Sequence, residues 1–265
     1  MLYKVKFHDK WFILKGLKEE YRNQSLYVKL LNKEFEIGFM MDHPNIAKII
    51  DKKTDPIVGN CIMMEYVDGI TLKEFLSSKH SRRQYDKIIS ELLNAMSYFH
   101  SKQIIHRDLK PVNILITHNG NNLKIIDFGF SDSEIYTSLK LPAGTVKYAA
   151  PEQIDQKVSV DCRADIYAFG LILKKIYPHR YHHVVSKCTR LDRERRYENV
   201  AEVQYAIKHT REIIRWSSII LLLLALTASF LIILNQIKDK SIRDQKVPKI
   251  KTTKTIYERL ELEKK

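Results

Sequence analysis

The chain has 265 residues, 45% hydrophobic and 29% charged, with a formal net charge of +14. These fractions are those of a folded protein, and the length excludes a chain too small to bury a core. A basic balance suits nucleic acid, an anionic membrane surface or nucleotide phosphates. Neither zinc-finger spacing nor an Arg-rich recognition helix is present, so nucleic acid is not an expected partner. Three scattered cysteines, Cys61, Cys162 and Cys188, offer no disulfide framework and no metal-ligand spacing, and fit a reducing compartment. No apolar run follows Met1, so no secretory leader is expected.

In chain order, Tyr3 to Lys15 (YKVKFHDKWFILK) predicts two strands joined by a turn at His8-Asp9. Asn23 to Met41 predicts a helix, with Leu26, Leu30, Leu31 and Phe35 at helical spacing. Ile46 to Ile50 and Cys61 to Val67 read as short strands, and the DKKTDPIVGN between them as turn. Helices then dominate. Thr71 to Ser77 and Tyr85 to Lys102 are amphipathic, the second with Ile88, Leu92, Leu93, Met96 and Phe99 on one side. Short strands follow at Ile114 to Ile116 and Leu123 to Ile126, then helices at Cys162 to Ile176, Tyr181 to Leu191 and Val200 to Ile214. Ser217 to Leu234 (SSIILLLLALTASFLIIL) carries no charge and no helix breaker. At about 1.5 Å per residue it spans about 27 Å, enough for a hydrocarbon core of about 30 Å. Arg215 and Trp216 flank one end and Asn235, Gln236 and Lys238 the other, as interfacial anchors do. A membrane helix is expected.

The most informative stretch is His106 to Asn113, H-R-D-L-K-P-V-N, followed by Asp127-Phe128-Gly129 and Ala150-Pro151-Glu152. The first can set a carboxylate, an ammonium and an amide around one phosphoryl group, and the second adds a metal-binding carboxylate. On these residues the chain resembles the eukaryotic-type (Hanks-type) serine/threonine protein kinases, over roughly residues 2–207. The resemblance implies an α+β, two-lobed protein-kinase fold. Residues 1–66 would form the amino-terminal lobe, 67–212 the helical carboxyl-terminal lobe, 216–236 the transmembrane helix and 237–265 a basic tail. It implies ATP between the lobes, with Mg²⁺. Asp108 would orient the substrate hydroxyl and accept its proton, and Lys110 would neutralise the γ-phosphate. Asn113 and Asp127 would hold the metal, and His106 and Phe128 would pack beneath the cleft. The hinge would lie at Glu65-Tyr66-Val67, with Met64 at the back of the nucleotide pocket and Met64, Glu65 and Val67 lining it.

The family also needs a strand lysine on the α- and β-phosphates, paired with a helix glutamate. His43-Pro44-Asn45 resembles the segment that follows the glutamate-bearing helix, which assigns the glutamate to Glu34. Lys29, in LYVKLL, lies five residues before Glu34, too close for a strand, a turn and half a helix. Lys15, in FILK, is the expected strand lysine, and Lys29 a solvated helix charge. Glu36 is the rival partner, but a helix turns it about 200° away from Glu34. Two departures stand out. No glycine precedes Gly16, so the glycine-rich phosphate loop is missing, which favours a start upstream of this Met1 over a more open nucleotide site. Gly38, one turn beyond Glu34, replaces the bulky apolar residue usual there. A helix-interior glycine costs up to about 1 kcal/mol, so a loosely held helix is expected.

Arg107 resembles the arginine that pairs with a phosphate on the activation segment, here Asp127 to Glu152, with Ser131, Ser133, Tyr136, Thr137, Ser138 and Thr145. Thr145 is better suited to bridging Asp108 and Lys110. Glu152 is expected to pair with Arg196, and Asp165 to tie the catalytic loop's backbone. These three argue for protein over small-molecule kinases. The carboxyl-terminal lobe is short after Gly170, where substrates often dock, and leaves the substrate proteins unnamed. Family members that autophosphorylate in trans pair as dimers, an assembly open to this chain. ATP and reduced thiols place the kinase domain in the cytosol, in a single-pass membrane protein. Lys238, Lys240, Arg243, Lys246, Lys249, Lys251 and Lys254 favour the cytosolic side for the tail too, leaving open a translocated tail or a re-entrant stretch. The expected function is a membrane-anchored serine/threonine kinase. The alternative is a catalytically impaired kinase-fold scaffold, or a kinase truncated at its amino terminus.

Overall fold

The computed structural model describes residues 1–128, 147–155 and 159–246. The chain begins with a hairpin of β1 (Leu2–Phe7) and β2 (Lys10–Gly16). His8 and Asp9 turn it with φ of 44° and 61°. Two successive left-handed residues match the right-handed twist of the strands they join, and so close a two-residue hairpin. β3 (Ile49–Asp55) and β4 (Gly59–Glu65) complete an antiparallel sheet in the order β1-β2-β4-β3. β4 is central. Cys61 and Met63 join Leu14 and Val58 on one face, while Ile62 and Met64 join Ile49 and Leu31 on the other. Burial on both faces explains why its sequence is an uninterrupted apolar run rather than an alternation. Leu31 belongs to α1 (Ser25–Phe39), which turns Leu31, Glu34, Ile37 and Gly38 inward.

One expectation fails here. Of the expected strand Ile46 to Ile50 only Ile49 and Ile50 lie in one; β3 starts at Ile49 and runs through half of the supposed turn. Pairing with β4 overrides the local turn chemistry of Asp51 to Asp55. The turn shrinks to the residues after Asp55, whose carboxylate accepts the Ile57 and Val58 N–H groups at 2.8 and 2.9 Å, and Gly59 takes φ of 74°. Residues 45–47 instead lie along a second sheet. There Ala47 N–H donates to the Ile125 carbonyl at 2.8 Å, and Ile125 N–H to the Asn45 carbonyl at 2.8 Å.

That second sheet holds β5 (Gly69–Thr71), β6 (Ile114–Thr117) and β7 (Leu123–Ile125). The helices around it are α2 (Leu72–Phe75), α3 (Arg82–Ser101), α4 (Pro151–Ile154), α5 (Arg163–Ile176), α6 (His182–Cys188) and α7 (Val200–Lys246). Capping boxes start α2 and α3. Thr71 and Glu74, then Ser81 and Gln84, exchange side-chain and backbone hydrogen bonds. The Ser81 box moves the start of α3 three residues ahead of the expected Tyr85. α6 stops at Cys188, short of Leu191, which is exposed. β5 and α4 were not expected from the sequence. Ile88, Leu92, Met96 and Phe99 of α3 pack with Phe169, Ile172 and Leu173 of α5 in the main core.

The chain divides into Met1–His209 and Thr210–Lys265. In the first unit Val200, Val203 and Ile207 of α7 are buried. In the second, the apolar side chains from Ile219 to Leu234 are exposed. Among the described residues, this is the one helix long and apolar enough to cross a membrane.

Glu152 at the start of α4 meets Arg196 as expected. The buried guanidinium donates to both carboxylate oxygens at 2.6 and 2.8 Å, and to the carbonyls of Arg190, Leu191 and Arg163. Its remaining donors are thus used, so the pair is satisfied as well as buried. Arg196→Ala strands the Glu152 charge and is expected to cost about 3–5 kcal/mol. Arg196→Lys recovers little of it, because an ammonium cannot make the two-pronged contact. Thermal unfolding of the two variants checks this, and a melting temperature within a degree or two of the parent for either would refute it.

Candidate active site

Lys15 extends from β2, and its ammonium lies 2.5 Å from Glu34 Oε1 and 2.9 Å from Asp127 Oδ1. One lysine thus joins the sheet, α1 and the end of β7. Lys29 is exposed on α1, and Glu36 is exposed and faces Lys33 at 3.6 Å. Lys15, and not Lys29, therefore stands beside Glu34. Burial opposes the Lys15 charge, but the two carboxylates outweigh it and raise its pKa above the ordinary value. Burial pushes the Glu34 carboxyl up to about 7, against the pull of Lys15 and with the help of Asp127.

Asp108 is 4% exposed and lies in the loop between α3 and β6. Its Oδ2 receives the Lys110 ammonium at 2.7 Å and the Asn113 amide N–H at 2.9 Å. The same amide donates to the Asp108 carbonyl at 3.0 Å. The amide nitrogen of Asn113 is committed to Asp108, so what Asn113 can offer a cation is its oxygen. With the Asp127 carboxylate it makes an all-oxygen donor pair, the chemistry Mg²⁺ takes. Asp127 sits at φ of 73°, a strained angle for a non-glycine residue, with Phe128 buried next to it. Phe128 meets His106 at 4.8 Å and Phe99 at 5.9 Å between ring centroids. His106 is fully buried and accepts the Asp108 N–H on Nδ1 at 3.3 Å. Burial lowers its pKa despite three nearby aspartates, so it is a neutral packing group.

The loop's shape rests on Asp165 of α5. Its carboxylate accepts the His106 and Arg107 N–H groups at 2.9 and 2.8 Å, and His100 Nε2 lies 2.8 Å away. Arg107 has φ of 66°, so these bonds hold a backbone turn that the residue alone disfavours. Burial works against the Asp165 charge, yet the His100 contact and the His106 amide outweigh it and keep the carboxyl below its ordinary value. Sequence reasoning found Asp165 but missed His100, which lies 65 residues away in the chain. It also missed Gln153, which donates to the Arg107 carbonyl at 2.7 Å. Neither carries a local signal, because the Asp165 carboxylate that His100 meets and the Arg107 carbonyl that Gln153 meets are brought to them only by the fold.

Where the hinge is expected, Met64 is buried on β4, paired with Ile13 on one side and Ile49 on the other. Val67 packs partly buried against the same cluster as Ile126. Glu65 is more occupied than expected. Its N–H donates to the Lys48 carbonyl at 2.9 Å and its carboxylate lies 2.6 Å from Lys124 of β7. Ser131, Ser133, Tyr136, Thr137, Ser138 and Thr145 lie outside the described residues.

Asp165→Asn keeps the shape of the side chain and removes its charge. Loss of charged hydrogen bonds worth about 1.5–3 kcal/mol is expected to speed amide exchange at His106 and Arg107 by one to two orders of magnitude. Unchanged exchange at those two amides would show that the loop does not depend on Asp165.

Comparison with known proteins agrees with this geometry. The protein kinase domain model matches residues 2–241. The serine/threonine-protein kinase PrkC of Bacillus subtilis is 34% identical over 171 residues, which covers 62% of this chain and 26% of that protein. The serine/threonine-protein kinase PknB of Mycobacterium leprae is 34% identical over 164 residues, 58% of this chain and 26% of that one. The chain therefore spans about a quarter of the length of these relatives. The kinase domain of Mycobacterium tuberculosis PknI superposes with a TM-score of 0.62 at 22% identity, covering 79% of this chain and 90% of that one, a likeness of fold. With a two-lobed fold, a lysine–glutamate pair and an ordered H-R-D-x-K-x-x-N loop, the chain belongs to the protein kinase domain family.

Proposed function

We propose that the chain is a serine/threonine protein kinase that transfers the γ-phosphoryl group of ATP to protein hydroxyls from the cytosolic face of a membrane. The observation that carries the reading is Asp108 Oδ2 held by both Lys110 and Asn113, with Lys15 set between Glu34 and Asp127. Lys15 supplies fixed positive charge for the α- and β-phosphates. Asp108 orients the attacking hydroxyl and takes its proton. Lys110 is already drawn to that carboxylate and can neutralise the phosphoryl oxygens during transfer. Little covalent chemistry is asked of the protein; positioning and charge do the work. Asn113 and Asp127 would hold Mg²⁺, which when bound spreads charge over the phosphates.

The exposed apolar stretch Ser217 to Leu234 is the membrane anchor in this reading, and the free thiols of Cys61, Cys162 and Cys188 agree with a cytosolic catalytic domain. The substrates are proteins. A second copy of the chain is the nearest one, if autophosphorylation runs in trans.

Autophosphorylation of the detergent-solubilised chain with labelled ATP and Mg²⁺ tests the activity. Label is expected in the wild type and absent from Asp108→Asn. Lys15→Ala is expected to abolish the rise in melting temperature that MgATP produces. A wild type with neither label nor a MgATP shift would point to a non-catalytic scaffold. A labelling rate that climbs with the square of protein concentration marks the trans reaction. The raised Glu34 pKa sets a pH dependence. kcat/KM for ATP is expected to rise as pH climbs through about 7, where Glu34 loses its proton and can pair with Lys15, and Glu34→Gln should flatten that limb. Its stability contribution has the opposite sign. A carboxyl whose pKa folding raises stabilises at low pH, and that stabilisation is lost as pH rises through about 7. For the anchor, alkaline carbonate washing should leave the chain in the membrane fraction and release a variant lacking Ser217 to Leu234.

A further inference from the structure

The ladder between β2 and β4 runs from Gly16 with Cys61 to Phe12 with Glu65. Past Phe12 and Glu65 the two segments part. The hairpin continues to its turn at His8 and Asp9, while β4 leads through Tyr66 toward β5 at Gly69. Lys4 of β1 joins them again just beyond the parting. Its ammonium lies 3.8 Å from the centroid of the Tyr66 ring and 4.5 Å from that of Trp11, over both faces. Both distances fall inside the roughly 6 Å at which a cation is drawn to a ring. Lys6, the next lysine on that side of β1, meets a carboxylate instead, Asp9 at 2.8 Å. The face matters. Trp11, Ile13 and Lys15 alternate along β2 and share one side of the sheet, and Lys4 stands opposite Ile13 in the ladder. That side carries the contacts of Lys15 with Glu34 and Asp127, and there Ile13 packs with Met64 and Val67. Lys4 thus holds the hairpin from the side on which a nucleotide is expected, next to the residues expected to line the base.

We propose that Lys4 is a clasp: shared by the rings of Trp11 and Tyr66, its ammonium fastens the projecting hairpin to the segment that leaves β4, and so sets how closely the roof of the nucleotide site sits over the base. The catalytic consequence rests on the kinase reading. Lys4 is a positioning residue in this account, and so are Trp11 and Tyr66. The backbone ladder ends at Phe12, so side chains must hold the strand ends beyond it. A lysine suits that task because its long stem crosses the gap while its charge finds two rings, one from each of the segments to be joined. The hinge segment is thereby tied to β1, a strand that pairs with β2 alone and stands at the edge of the sheet.

Lys4→Met keeps the stem and removes the charge. In the full chain it is expected to raise KM for ATP about fivefold with kcat unchanged, the scale of an exposed cation–ring contact. Amide exchange over Phe7 to Trp11, read by mass spectrometry, should quicken by a similar factor. Lys4→Arg keeps both ring contacts and should hold KM and exchange at wild-type values. Tyr66→Leu leaves the Lys4 charge in place and removes one ring, so it should reproduce both changes. Lys4→Met/Tyr66→Leu should be no worse than either change alone, because the two residues act through one contact. Unchanged KM and exchange in Lys4→Met would overturn the clasp, and so would an arginine that fails to restore them. A KM raised in Lys4→Met but not in Tyr66→Leu would overturn it too, since the lysine would then act on the nucleotide by its charge. Additive effects in the double variant would have the same force. Should the wild type show no rise in melting temperature with MgATP, the kinase reading fails, while exchange over the hairpin still decides the clasp.

Discussion

The buried carboxylate of Asp165 is the constraint on which the loop from His106 to Asn113 depends. It stands at the start of α5, in the main core, and reaches the backbone of His106 and Arg107. Those amides have no strand or helix partner in the loop, and a buried unpaired N–H is costly. One carboxylate satisfies both, and in doing so stabilises a left-handed Arg107. The next residue is Asp108, whose direction follows from that backbone. Lys110 and Asn113 converge on Asp108 because the loop returns on itself within five residues. Gln153 holds the same loop by the Arg107 carbonyl, so both polar groups of that peptide region are tied down.

The ion pairs divide by environment. Surface pairs such as Lys6–Asp9 and Lys33–Glu36 are solvated, and pairs of that kind are worth about 0–1 kcal/mol. Glu152–Arg196, His100–Asp165 and Lys15–Glu34 are different in kind. Each takes charge out of water, so its worth lies less in net attraction than in the cost of any arrangement that leaves one partner alone. That asymmetry makes them selective. Each accepts one geometry of helix, loop or sheet and penalises the others. Lys15 adds a further condition, since it needs Glu34 and Asp127 together, from α1 and from the end of β7. Its pairing is therefore a report on the whole small lobe and its seating.

Much of the site was legible in the sequence because its motifs are local. His106 to Asn113 is one loop, and the order of residues in it is also their order around Asp108. Lys15 over Lys29 could be decided by counting, because a strand, a turn and half a helix take up a known length of chain. Glu152 with Arg196, and Asp165 with the loop, were reached through the resemblance to known kinases, since nothing near either residue in the chain announces its partner. Local signals also misled. DKKTDPIVGN has the composition of a turn, yet half of it is strand, because β4 offers backbone partners along its whole length. Helix propensity likewise says nothing of Ile49, whose side chain occupies the space beside Gly38.

By itself the sequence determined the kind of protein, the residues with chemistry to offer, and an apolar stretch of membrane-spanning length, since each is written in contiguous residues. Tertiary structure alone decided how those residues are held. His100 on Asp165, Gln153 on the Arg107 carbonyl, Lys124 on Glu65 and Ile49 in the hollow of Gly38 all join segments apart in the chain. Such contacts depend on where packed elements come to rest to within an ångström, and no periodicity or composition carries that distance.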